Sequence, residues 1–78
     1  MDIKKTIGDR IKELRRINNI SQEELAFNAG IDNKYISDVE LGKRNVSILV
    51  LNLIITALNI TTHQFLESFK NKPETANN

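Results

Sequence analysis

Apolar residues recur at Ile3, Ile7, Ile11, Leu14 and Ile17, at spacings of four, four, three and three. That is a single stripe on a helix, and it predicts a first helix over residues 3–17. Asn18 and Asn19 break it. Ser21 then opens a second helix as its N-cap, with Glu24 three places on in the capping-box arrangement. Gly30 ends that helix, as a residue free to adopt the left-handed conformation does at a helix C-terminus. Asp32 caps a third helix, which runs to about residue 41 and stops at Gly42. Ser47 caps a fourth, ending near Asn59, and Thr61 or Thr62 starts a fifth, ending before Pro73. No run has the period of a strand, and no internal repeat is present. The loops are short, so the helices are expected to pack as neighbours in a compact, all-α, five-helix domain. The domain spans residues 1–72, and the polar residues 73–78 are expected to form a disordered tail.

The segment from Gln22 to Leu41 makes specific geometric demands. Two short helices are joined by a tight turn. Where they cross, a side chain on the first must be small, and Ala26 is there. The turn needs a positive φ, which Gly30 adopts without steric cost. Ile36 and Val39, three apart on one face of the second helix, turn inward to meet the first. Leu25 and Ile31 complete that small core. The arrangement is that of a helix-turn-helix, whose second helix enters the major groove of DNA. The outward positions of that helix are Asn33, Lys34, Ser37 and Asp38. Asn can pair bidentately with adenine, and Lys can donate to guanine O6 and N7. Tyr35 is placed to lie on the DNA backbone. Asp38 is unfavourable beside phosphates unless it accepts from cytosine N4 or pairs with a neighbouring cation. Lys43, Arg44 and Asn45 follow in the loop, well placed for a flanking phosphate. Glu23 and Glu24 stabilise the first turn of the second helix and must point away from DNA.

The chain has 78 residues and a formal net charge of +1, which by itself does not suggest nucleic acid. The distribution says more. Residues 4–16 hold six bases (Lys4, Lys5, Arg10, Lys12, Arg15, Arg16) against Asp9 and Glu13. Residues 22–32 carry three acids and no base, and Lys43 and Arg44 form a second basic spot. The length allows one domain with a modest core, so oligomerisation is a reasonable source of further burial. The absence of cysteine excludes disulfides, thiolate metal sites and cysteine nucleophiles, and suits a reducing cytoplasm. The N-terminus has no apolar segment of a secretory signal. The apolar stretch 46–60 is interrupted by Ser47, Asn52, Thr56 and Asn59, too short and too polar to span a bilayer. Catalysis has little to stand on: the one histidine, His63, opens the fifth helix, and the only adjacent acids are Glu23 and Glu24. There is no Gly-rich phosphate loop and no metal-ligand spacing, so no cofactor, metal or small-molecule ligand is expected.

The runs Ile20-Ser-Gln-Glu-Glu-Leu-Ala26, Ala29-Gly-Ile31 and Tyr35-Ile-Ser-Asp-Val-Glu-Leu-Gly-Lys-Arg-Asn45 resemble the lambda-repressor-like (Cro/cI, XRE) regulators. More narrowly, Lys34-Tyr-Ile-Ser37 followed by Glu40-x-Gly-x-Arg-Asn-x-Ser47 resembles the controller proteins of restriction-modification systems. The resemblance covers residues 5–69. It implies base contacts at Asn33, Lys34 and Ser37, and a phosphate contact at Gln22 that also braces the recognition helix. It implies a structural pair between Arg10 and Glu40. Asp38 departs from the small or basic residue common in such relatives, which bears on the target sequence. The resemblance further implies a double-stranded operator as partner, control of the protein's own promoter, and contact with RNA polymerase. A phage-type repressor and an antitoxin-type interaction protein are the alternatives, because one fold serves several functions.

The fourth helix holds more apolar residues than one face can bury. Ile48, Leu51, Ile54, Ile55 and Leu58 form the expected core stripe, with Ala57 beside it. Leu49, Val50 and Leu53 are left elsewhere, Leu49 and Leu53 one above the other. The fifth helix adds Phe65, Leu66 and Phe69, of which one or two can cap the core. Such a patch usually marks an interface. The expectation is a two-fold homodimer through the last two helices, presenting two recognition helices roughly 34 Å apart to a near-palindrome.

Overall fold

A computed structural model describes residues 2–70, and the tail expected at residues 73–78 lies outside them. Five helices follow in order: α1 (Ile3–Ile17), α2 (Gln22–Ala29), α3 (Asn33–Glu40), α4 (Ile48–Ala57) and α5 (Thr62–Lys70). Their starts are set by capping side chains. Asp2 accepts from the Lys4 and Lys5 amides, Ser21 from Glu24, Asp32 from Lys34 and Ser47 from Val50. At α5 the capping box closes in both directions. Thr61 Oγ1 accepts from the Gln64 amide at 3.0 Å, and Gln64 Oε1 accepts from the Thr61 amide at 2.9 Å. The stops are left-handed residues: Asn19 and Asn59, with φ of 62° and 66°, follow α1 and α4.

The core lies where α1, α2, α3 and α4 meet, and α5 closes it. Ile11, Leu25, Ile36, Val39, Ile54, Leu58 and Phe65 are its fully buried side chains. Each is worth roughly 1.5–3 kcal/mol of burial. The α1 stripe is only partly inward: Ile11 and Leu14 are buried and Ile7 is half-buried, while Ile3 and Ile17 at the ends are exposed.

Two α1 residues fix its neighbours. A Cβ on Gly8 would collide with the Val39 carbonyl oxygen and crowd the Glu40 carbonyl, so α1 and α3 touch backbone to backbone there. Arg10 does not reach Glu40, contrary to the expected pair. Its Nε donates to the Phe65 carbonyl at 3.0 Å and its Nη2 to the Gln64 carbonyl at 2.9 Å, holding α5 against α1. Its Nη1 meets Glu13 at 3.0 Å. Among the described residues, no helix is long and apolar enough to cross a membrane.

Candidate nucleic-acid interface

The turn between α2 and α3 is closed by backbone geometry. Gly30 sits at φ 70°, ψ 33°, and the Ile31 amide reaches back to the Ala26 carbonyl at 2.9 Å. That is the helix-ending bond pattern glycine permits. Ala26 is buried at the crossing, and Leu25, Ile36 and Val39 fill the space behind it. The orientation of α3 is therefore held from within by apolar contacts.

A polar network holds it from the other end. Glu40, the last residue of α3, is the buried charged residue among the described residues. Its carboxylate accepts from Arg15 Nε at 2.7 Å and Arg15 Nη2 at 3.0 Å, and from Gln22 Nε2 at 3.0 Å. Arg15 Nη1 also donates to the Ile20 carbonyl at 2.9 Å. The bidentate hydrogen bond and the charge of Glu40 raise the Arg15 pKa further above the arginine range, against the opposing effect of burial. Glu40 thus pairs with Arg15 and not with Arg10. Five residues on a helix turn the side chain by about 140°, so the two arginines face different helices. The signal in the sequence was available: Arg15 lies seven residues after Gly8, on the face that touches α3. Gln22, expected at a phosphate and as a brace for α3, is half-buried and donates to Glu40 at the end of that helix.

The outer side of α3 is polar. Asn33 and Lys34 are exposed, and Ser37 and Asp38 are half-buried. Lys34 Nζ lies 3.3 Å from Asp38 Oδ2 and 3.4 Å from Oδ1, so the acid has its cation on the same helix. Tyr35 is half-buried against the core, and the Arg44 guanidinium carbon sits 4.5 Å from its ring centroid. This cation–π contact brings the loop back to α3, and patterning had not joined these residues. Lys43, Arg44 and Asn45 are all exposed. The arrangement offers a helix with outward donors and acceptors, flanked by the first-turn amides of α2 and by a basic loop, which suits base edges between two phosphates.

Several apolar side chains of α4 and α5 are left exposed. Leu49 is 71 % exposed, Leu53 40 % and Leu66 48 %. Ile48, expected in the core, is 87 % exposed, because α4 begins before it reaches the other helices. Leu51 and Val50 are half-buried on the core edge, as is Phe69. Phe65, expected in the outer patch, is fully buried and meets Phe69 edge to face at 5.9 Å. It closes the core between α1 and α4 and presents nothing to a partner.

A recognition helix fixed by an α2 crossing and a buried acid at its end defines a helix-turn-helix protein. The chain belongs to the helix-turn-helix family, whose model matches residues 11–65, and within it stands with the control proteins of restriction-modification systems. It is 39 % identical over 66 residues to control protein C.SmaI of Serratia marcescens, covering 85 % of this chain and 79 % of that one. Control protein C.MunI of a Mycoplasma species is 37 % identical over 70 residues, covering 88 % and 95 %. The crystal structure of controller protein C.AhdI from Aeromonas hydrophila superposes with a TM-score of 0.79 at 38 % identity, covering 83 % and 98 %. The C.Esp1396I tetramer in complex with its natural 35 base-pair operator superposes at 0.83 and 31 % identity, covering 86 % and 88 %. The family is one of transcription regulators, not of enzymes.

Proposed function

We propose that this protein is the homodimeric controller of a restriction-modification system, and that it binds a near-palindromic operator at its own promoter. One observation carries the reading: α3 presents Asn33, Lys34, Ser37 and Asp38 outward beside the basic loop 43–45, on a fold shared with a relative crystallised on its operator. Lysine and arginine side chains, Lys43 and Arg44 among them, neutralise phosphates and together supply most of the affinity. The α3 face supplies selectivity. Leu49, Leu53 and Leu66 join two copies, which sets two α3 helices one turn of DNA apart. A dimer beside the promoter is also placed to touch RNA polymerase when its operator is partly filled, and to exclude it when full.

The test is a titration of the purified protein against its own upstream DNA and a scrambled duplex at two salt concentrations. The expected result is specific binding that falls steeply with salt, with a slope near −0.9 for each phosphate neutralised. Equal, weak binding to both duplexes would overturn the operator reading.

A further inference from the structure

Asp38 is the least expected residue on the outer face of α3. It stands in the C-terminal half of its helix, where an acid opposes the helix dipole. It is not needed to stabilise the helix. A cation placed N-terminal to its acid is the weaker order for an i,i+4 pair, and a pair whose cation stands in solvent contributes little. Its partner Lys34 is 80 % exposed while the Asp38 side chain is only 20 % exposed. The acid is therefore held in place and the lysine reaches outward over it. The result is a donor and an acceptor side by side, 3.3–3.4 Å apart, on the face turned to the ligand.

We infer that Lys34 and Asp38 act together as a reader of one G·C base pair in each half-site, with guanine under Lys34 and cytosine under Asp38. This rests on the operator-binding reading above. In the major groove a G·C pair shows, in order, two acceptors on guanine (N7 and O6) and then the N4 amino donor of cytosine. O6 and N4 are hydrogen-bonded to each other and so lie about 2.9 Å apart. Lys34 donates to N7 and O6, Asp38 accepts from N4, and the two side chains keep their own contact above the base pair. The cost of an acid near phosphates is offset only where that amino group is present.

The same geometry ranks the other three pairs. In the reversed C·G orientation the cytosine amino group faces the lysine and guanine acceptors face the carboxylate, so both contacts are wrong. In A·T the thymine O4 faces the carboxylate, acceptor against acceptor. T·A keeps an acceptor under Lys34 and a donor under Asp38. It puts a methyl where guanine N7 stood and adenine N7 beside the carboxylate, so it is the mildest replacement.

The experiment starts from selection of random duplexes by the whole purified protein, followed by titration of the enriched site with each replacement at that pair. The expected wild-type loss is about tenfold or more for A·T and C·G, and less for T·A. In Asp38→Ala, shown by its melting curve to be folded, discrimination against A·T falls several-fold, because the repelled carboxylate is gone and only the loss of guanine O6 beneath Lys34 remains. A chemical probe needs no variant. N4-methylcytosine replaces the groove-facing hydrogen by a methyl, and weakens wild-type binding as much as a wrong base, while 5-methylcytosine, which keeps that hydrogen, does not. Asp38→Ala binds the N4-methylated and plain sites alike. If a sequence is selected but its preferences are unchanged in Asp38→Ala and Lys34→Ala, and N4-methylcytosine is neutral at every position, the pair is not a reader and this inference falls while operator binding stands. If no sequence is selected, both fall together.

Discussion

The two ends of this molecule share one core and finish it in opposite ways. In α2 and α3 the apolar side of each helix is turned inward at Leu25, Ala26, Ile36 and Val39, and the outward side is polar apart from Phe27 on α2, which is 85 % exposed. Even the charge at the end of α3 is internally satisfied, Glu40 accepting from Arg15 and Gln22. At the α4–α5 end, Ile54, Ile55, Leu58 and Phe65 go inward, and Ile48, Leu49, Leu53 and Leu66 are still left in solvent. The outer face of α3 is polar and suits a polar ligand. The face of α4 and α5 is largely apolar and suits another apolar surface, as the proposed dimer supplies. A small domain that must do both has to put them on different helices, because one helix face cannot be optimal for both.

Phe65 tests whether the two ends depend on the same core. Phe65→Ala removes the largest fully buried side chain, at a cost of about 3–5 kcal/mol. In so small a domain that is most of the stability, and a melting curve should show both ends lost together. If only self-association were lost, Phe65 would belong to the interface after all. Glu40→Ala should cost about 2–3 kcal/mol, because it leaves the half-buried Arg15 and Gln22 without the carboxylate that both donate to. It should lower the melting temperature before it lowers the DNA affinity of the molecules still folded, and an unchanged melting temperature would remove Glu40 from its structural role.

Gly8→Ala separates local from tertiary effects. Helix propensity alone would make alanine the better residue by about 1 kcal/mol. The carbonyls of Val39 and Glu40 occupy the place of the new methyl, so a net loss of roughly 2 kcal/mol is expected. A gain in stability would mean that α1 and α3 do not touch there. Leu53→Asp should act on the apolar end alone. The expected result is a dimer dissociation constant weakened about 30-fold by sedimentation, with the helical signal retained. The smallest effect is expected from Arg44→Ala, which should weaken all DNA sequences alike by a few-fold and reduce the salt slope by about one. A change of sequence preference instead would move Arg44 from the phosphates to the bases.

Much of this was legible along the chain because it is local. A cap needs only a residue and the amide two or three places on, and Ser21, Asp32 and Ser47 cap where patterning put them. The turn needs Gly30 and gets it. The outward set on α3 follows from the period of the helix once Ile36 and Val39 are inward. The misreadings share one cause. Whether Ile48 or Phe65 is inside depends on how helices cross, and the spacing of Arg15 from Gly8 points to Glu40 only once α1 is known to meet α3 at Gly8.

By itself, then, the order of residues determined five helices, their ends, the helix-turn-helix and an excess of apolar surface on the last two helices. Each follows from interactions within about four residues or from the sum of side chains a face can hold. The tertiary structure decided which charges are paired, which aromatic closes the core, and which leucines stay exposed. Those depend on the backbone approach of α1 and α3 at Gly8 and on the docking of α5 by Arg10. A buried charge takes the partner that the helix crossing brings within reach.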